Sequence, residues 1–165
     1  MMSYDKFTEK IQKAIEECSY PFFVVQQDFN KKCPCVDAST GEADPNCKKC
    51  LGTGYKVKIK ITHGASYEEM KVGGSSMSAR NSRVVKHYYT NRNCDLKQDN
   101  YIIDENELFY VYRISNLKGI HNEYTHQEIM AALHVNDHDV ILRNCLEVIN
   151  KFLPKKKRDD FPWLQ

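Results

Sequence analysis

Four of the seven cysteines lie between residues 33 and 50, as Cys33-Pro-Cys35 and, after eleven intervening residues, Cys47-Lys-Lys-Cys50-Leu-Gly-Thr-Gly54. No other feature constrains the fold as strongly. The stretch from Asn30 to Gly54 holds two prolines, three glycines and the turn-forming pairs Thr40-Gly41 and Asp44-Pro45, but almost no large apolar side chains. It cannot build a hydrophobic core, so another interaction must hold its shape. Two short cysteine turns each present two thiolates on one side of a tight bend. Together they offer four sulfurs at tetrahedral corners, the closed geometry of a structural zinc site. A dication removes the cost of crowding thiolates together, and Lys48 and Lys49 offset part of the remaining negative charge. Gly52 and Gly54 allow a sharp turn after the last ligand, so that backbone N–H groups can point at sulfur. The first pair, Cys-x-Cys, has a tighter bite than the commoner Cys-x-x-Cys, and Pro34 favours a bent path there. Two disulfides, or cysteines buried as small apolar side chains, are the alternatives. The expectation is one structural Zn2+ per chain on Cys33, Cys35, Cys47 and Cys50, with no coordination position open for catalysis.

A length of 165 residues suits one compact domain, and 41% hydrophobic with 28% charged residues is ordinary for a soluble globular chain. The longest apolar runs, Phe22–Val25 and Ile129–Leu133, fall far short of the roughly 20 residues a membrane helix needs. Residues 1–17 are polar and charged and read as no secretory signal, so a reducing compartment is expected, which favours metal over disulfides. The 24 basic and 22 acidic residues are too balanced to argue for nucleic-acid binding on net charge alone.

Along the chain, Phe7, Ile11, Ala14, Ile15 and Cys18 share one face of a helix from Tyr4 to Cys18. Phe22–Val25 reads as a short strand. Tyr55, Val57, Ile59 and Ile61 alternate with Lys56, Lys58 and Lys60, which predicts a half-buried strand with a basic outer face. Residues 62–82, with Gly64, Gly73, Gly74 and several serines, read as a long loop. Arg83–Thr90 is a predicted strand, and Tyr101–Ile103 and Leu108–Ile114 form a hairpin around a four-residue turn. Residues 115–127 read as a polar connection. Glu128–Val135 suits either a strand or a helix. Asp137 or Asp139 can cap a final helix whose stripe is Val140, Ile141, Cys145, Val148, Ile149 and Phe152, ended by Pro154. About five strands with no helices between them predict a mainly β (α+β) fold: a small barrel or sandwich with an N-terminal and a C-terminal helix and an inserted four-cysteine knuckle. The expected divisions are 1–29 (helix and first strand), 30–54 (knuckle), 55–136 (barrel core) and 137–165 (C-terminal helix and tail).

No paired carboxylates, Ser-His-Asp order or phosphate loop emerges, and the expectation is a non-enzyme. Cys18 and Cys145 sit on apolar faces and read as core. The six histidines read as surface residues, His134 and His138 being the pair with ligand spacing. Lys56, Lys58 and Lys60 are candidates to face nucleic acid, the alternative being a solvated face. Phe161, Trp163 and Leu164 close the chain after the basic run Lys155–Arg158, and such terminal aromatics dock either on their own domain or on a neighbouring subunit.

A helix, a knuckle of the form Cys-x-Cys…Cys-x-x-Cys-x-Gly-x-Gly-Tyr (Cys33, Cys35, Cys47, Cys50, Gly52, Gly54, Tyr55), an alternating strand and the hairpin YIIDENELFYVYRI at residues 101–114 together resemble the neck proteins of tailed bacteriophages, the head–tail connector or head-closure proteins. The likeness covers the layout of residues 1–150, and the residues themselves in those two stretches. It implies a β-barrel subunit of a homo-oligomeric ring below the portal, made in the host cytoplasm and carried in the virion. Its partners would be portal or adaptor and tail proteins, with packaged DNA in the channel that the ring closes. Tail-terminus and baseplate proteins share such barrels, so a tail or baseplate position is an alternative, as is a zinc-containing nucleic-acid-binding protein. The unit from Cys47 to Gly54 is also similar to the zinc repeats of DnaJ-type co-chaperones. Those carry several copies, and this chain has one.

Overall fold

Closure of a β-barrel requires every strand to find two neighbours, and six strands achieve it here. The computed structural model describes residues 4–71, 83–91, 96–118, 124–134 and 140–164. The strands are β1 (Tyr20–Lys32), β2 (Tyr55–Lys71), β3 (Arg83–Thr90), β4 (Tyr101–Asp104), β5 (Glu107–Lys118) and β6 (Tyr124–Leu133). They close in the order β1-β2-β3-β6-β5-β4, each antiparallel to its neighbours. Of the barrel and the sandwich that the sequence allows, the mainly β fold is the barrel, with six strands rather than about five, and with α1 (Tyr4–Glu17) before it and α2 (Val140–Phe152) and the short α3 (Lys155–Arg158) after it.

Several boundaries differ from the sequence reading. Residues 62–71 are not loop but the second half of β2, laddered from Gly64 opposite Thr90 to Lys71 opposite Arg83; residues 72–82 lie outside the described residues. Gly64 suggested a turn, but it marks a close approach: a Cβ there would lie 2.6 Å from the Tyr89 carbonyl oxygen. In the polar connection predicted at 115–127, residues 115–118 and 124–127 are strand, with Ser115–Lys118 in β5 pairing with residues 128–124 of β6, and residues 119–123 lie outside the described residues. Polar composition misleads there because these strand ends project toward the rim of the barrel. The ambiguous segment after Glu128 is strand as far as Leu133. The β4–β5 hairpin turns on two residues rather than four, Glu105 and Asn106, with φ of 51° and 66°, the left-handed pair that matches strand twist. The capping positions Asp137 and Asp139 are outside the described residues.

Two apolar clusters divide the core. Phe22 and Val24 of β1, Tyr88 of β3, Ile102 of β4, Phe109 and Val111 of β5, and Ile129 and Ala131 of β6 pack together inside the barrel, with Leu96 beside them. The alternate residues Phe23, Val25, Ile103 and Leu108 face outward and are covered by Cys145, Ile149 and Leu153 of the C-terminal segment. Cys145 is buried, as expected. Cys18 is not: it is exposed, because the helix ends at Glu17 and Cys18 enters the turn into β1. Helix α1 rests on β2 and β6, with Gln12 Nε2 donating to the Thr125 carbonyl at 3.4 Å.

One end of the barrel interior is sealed by a charged cluster. Asp104, wholly buried, accepts at Oδ2 from Tyr20 Oη at 2.6 Å and Tyr88 Oη at 3.1 Å, and pairs with Lys86 Nζ at 2.8 Å. The same Nζ lies 5.5 Å from the centre of the Phe109 ring. Burial, then the hydrogen bond to Asp104, pushes the Tyr20 hydroxyl up to about 12. At Lys86 burial opposes the charge, but Asp104 outweighs it and holds the ammonium above the ordinary lysine value. Both groups keep their protons longer in the folded chain than in the unfolded one. Their contribution is complete below about pH 10 and is lost as the pH climbs further, because the unfolded side chains ionise first. The urea midpoint should therefore fall between about pH 10 and 12, and Tyr20→Phe should make that fall shallower. A midpoint constant to pH 11.5 or so would refute this.

Candidate metal centre and barrel mouth

The cysteine cluster grows out of the β1–β2 ladder. Cys33 N donates to Gly54 O at 2.8 Å, so the first and last parts of the knuckle are pinned to each other where the two strands part. Val36 N reaches Cys33 O at 3.1 Å, which curls the first pair; Leu51 N reaches Cys47 O at 2.9 Å and Thr53 N reaches Cys50 O at 3.0 Å, which curl the second. The left-handed turn after Cys50 uses Leu51, Gly52 and Gly54, with φ of 57°, 90° and 82°. A leucine is costly in that conformation. Burial of its side chain against Cys145 and Ile149 of α2 compensates, and no motif or spacing pointed to this one apolar anchor.

The four sulfurs all lie within 4.8 Å of one another, with Cys33 Sγ 3.6 Å from Cys47 Sγ and Cys35 Sγ 3.4 Å from Cys50 Sγ. A tetrahedral site with metal–sulfur bonds of about 2.3 Å has sulfurs about 3.8 Å apart, so the donor set fits a metal ion with small adjustments. Cys33 and Cys50 are buried, while Cys35 and Cys47 are half-buried. Backbone N–H groups of Cys50 and Lys49 draw the Cys47 thiol down to about 6. Loss of hydration and the neighbouring thiols push Cys35 up to about 12, and burial raises Cys50. Left to themselves these sulfurs thus concentrate negative charge at Cys47 and keep protons on Cys35 and Cys50; a dication would favour the thiolate at each. The N–H groups of Gly52 and Gly54 point at Cys50 sulfur, as the glycine pattern predicted. Four protein donors complete a tetrahedron, so such an ion would organise structure and not bind substrate.

The knuckle is joined to α2. Asn144 Nδ2 donates to Pro45 O at 2.8 Å, Gly52 sits against Val140 and Ile141, and Lys48 pairs with Glu147 at 2.8 Å. The last pair is solvent-exposed and contributes little; the buried amide bond and Leu51 carry the joint.

A scan against protein-family models finds no match, and no curated protein shows significant similarity to the chain.

The structure corrects the face of the alternating strand. In β2 the apolar residues Val57, Ile59 and Ile61 point outward and pack under α2. Lys56, Lys58 and Lys60 stand opposite Asp28, Gln26 and Val24 of β1, on the side that lines the barrel interior. They occupy the end of that interior away from Asp104, where it opens to solvent. There they line a groove of about 500 Å³ together with Lys31 and Lys97, floored by Leu96. Lys56 and Lys58 are exposed and Lys60 is half-buried.

Of the two alternatives for the terminal aromatics, the structure shows docking on their own chain. Phe161 stacks on Phe23 with ring centres 4.4 Å apart, Trp163 meets both edge-on, and Leu164 is buried in the same cluster. Asn106 in the β4–β5 turn donates to the Trp163 carbonyl at 2.8 Å. Two polar groupings escaped the sequence reading. One is Asp104 with Lys86, Tyr20 and Tyr88, whose members come from three strands. The other is His87, expected at the surface but buried, with Nε2 3.2 Å from Glu69, Nδ1 3.2 Å from Glu128, and its ring stacked on Tyr67. Nothing in linear spacing marks either. His138, of the His134–His138 pair, and Cys94 lie outside the described residues.

Proposed function

We propose that this protein is a non-catalytic subunit of the neck of a tailed phage particle: a zinc-stapled barrel that assembles into a homo-oligomeric ring between the portal or adaptor and the tail, closing the DNA channel. The observation that carries the reading is the insertion of a four-thiolate cluster between the first two strands of a closed barrel flanked by helices. That is the layout which the resemblance at Cys33–Tyr55 and residues 101–114 leads one to expect. Zinc is the ion of choice because four thiolates in a closed tetrahedron suit a metal with no redox chemistry and no directional preference of its own. A ring subunit has reason to combine a rigid barrel with a stapled projection that needs no catalytic group.

The test is electron microscopy of the purified, zinc-loaded protein at high concentration, with its mass in solution measured in parallel. Rings of one fixed symmetry are expected. A protein that stays monomeric at all concentrations, and that antibodies fail to find on purified particles, would show the reading to be wrong. The lysine-lined groove favours a second reading, a zinc-containing nucleic-acid-binding protein, and it has a consequence of its own.

A further inference from the structure

We propose that the basic mouth of the barrel is a binding site for the phosphate backbone of a nucleic acid, recognised without regard to base sequence. The inference rests on the barrel geometry and not on ring formation. Among the described residues that line the groove, five lysines, Lys31, Lys56, Lys58, Lys60 and Lys97, stand against one carboxylate, Asp28. That carboxylate is already engaged: it lies 3.2 Å from Lys31, and Lys31 first, with Lys56 adding to it, holds it below its ordinary pKa. Lys60 has a further partner of its own, and the other four lysines of the described lining against Asp28 leave an excess of about three positive charges in a chain whose net charge is only +2.

Three of these lysines are alternate residues of one strand. Successive alternate residues lie about 7 Å apart, so Lys56, Lys58 and Lys60 form a ladder along the strand rather than a point charge. A small anion would meet one of them, whereas a polymer with regularly spaced charges meets several. The strand is fixed on its other face by Val57, Ile59 and Ile61 under α2, so the ladder is preorganised and loses little backbone freedom on binding. The rest of the groove wall is amide and aliphatic. No aromatic ring lines it among the described residues, so no base is offered a stacking partner, and the contact is with phosphate. The opposite end of the barrel, with Glu68, Asp104 and Glu105 around Lys86, repels the same polymer and gives binding one polarity.

The experiment uses the full, zinc-loaded chain and fluorescently labelled DNA of arbitrary sequence, as a duplex and as a single strand, in anisotropy titrations from 50 to 200 mM salt. Three phosphate contacts predict a slope of log K against log salt near −2.7, or about a forty-fold loss of affinity across that range. The triple variant Lys56→Glu/Lys58→Glu/Lys97→Glu should bind at least about ten-fold more weakly and with a shallower slope, roughly one unit per lysine. Lys155→Glu/Lys157→Glu, in the exposed run of α3, should bind as the parent does. Metal content and melting temperature of each variant separate lost contacts from lost fold. Binding by the monomeric fraction supports the site whether or not rings form. Absence of binding at 50 mM salt, equal binding by the triple variant, or displacement of DNA by a poly-glutamate peptide at equal charge concentration would each overturn the proposal; the last would reassign the groove to an acidic protein.

Discussion

Cys50→Ser should strip the protein of its stoichiometric metal and lower its melting temperature by roughly 10 °C or more. The argument is one of alternatives. Between Cys33 and Gly54 the only large apolar side chain wholly buried is Leu51, so no packing remains to hold the knuckle once a ligand is lost. The cost extends beyond the knuckle, because α2 rests on Pro45, Gly52 and Leu51. For a chain of this length about 1 kcal/mol moves the midpoint by ~2–4 °C, and losing a structural ion removes several kcal/mol. A chelator should reproduce the drop, and one equivalent of zinc should reverse it. Cys18→Ser, at an exposed thiol, is the matched control and should leave the midpoint where it was. An unchanged melting curve for Cys50→Ser, or elemental analysis finding no metal in the parent, counts decisively against the site.

Lys86→Ala should destabilise the barrel by about 3–5 kcal/mol, measured by urea unfolding at pH 7. The reason lies with its partner. Asp104 is inaccessible to water and its Oδ1 has no hydrogen-bond partner, so the carboxylate already sits at a loss that Lys86 and two tyrosine hydroxyls offset through Oδ2. Removing the ammonium leaves that charge uncompensated. The double variant Lys86→Met/Asp104→Leu removes charge and counter-charge together and should recover most of the loss, since an apolar pair can fill the same volume. Equal damage in the single and double variants would mean that volume, not charge, holds this end of the barrel. A cost under about 1 kcal/mol for the single variant would mean that water reaches Asp104 after all.

What could be read from the sequence followed the range of the physics involved. Metal ligation is local: two short turns and their glycines announce it, and Cys33, Cys35, Cys47 and Cys50 do come together. Strand alternation is local too, and it located the core of β2. Yet alternation says only that a strand has two faces. In a barrel with a helix strapped outside, both faces can be covered, and here the apolar face of β2 turned out and the lysines turned in. Gly64 read as a loop residue because a close approach between strands looks, in sequence, like a turn. The partners of Asp104 and His87 are fixed by closure of the barrel across strands far apart in the chain, which no spacing rule encodes. Whether Phe161 and Trp163 would dock at home depended on a groove over Phe23 that exists only once α2 is in place.

The C-terminal segment touches the thiolate cluster at its start and the β4–β5 turn at its end, through Asn144 to Pro45 at one extreme and Trp163 to Asn106 at the other. It acts as a tie-rod along the outside of the barrel. An ion that favours the seated rod is, by thermodynamic reciprocity, gripped more tightly when the rod is seated. Displacing Phe161 from Phe23, by a variant such as Phe161→Ala, should therefore weaken the hold of the four cysteines on an added metal ion.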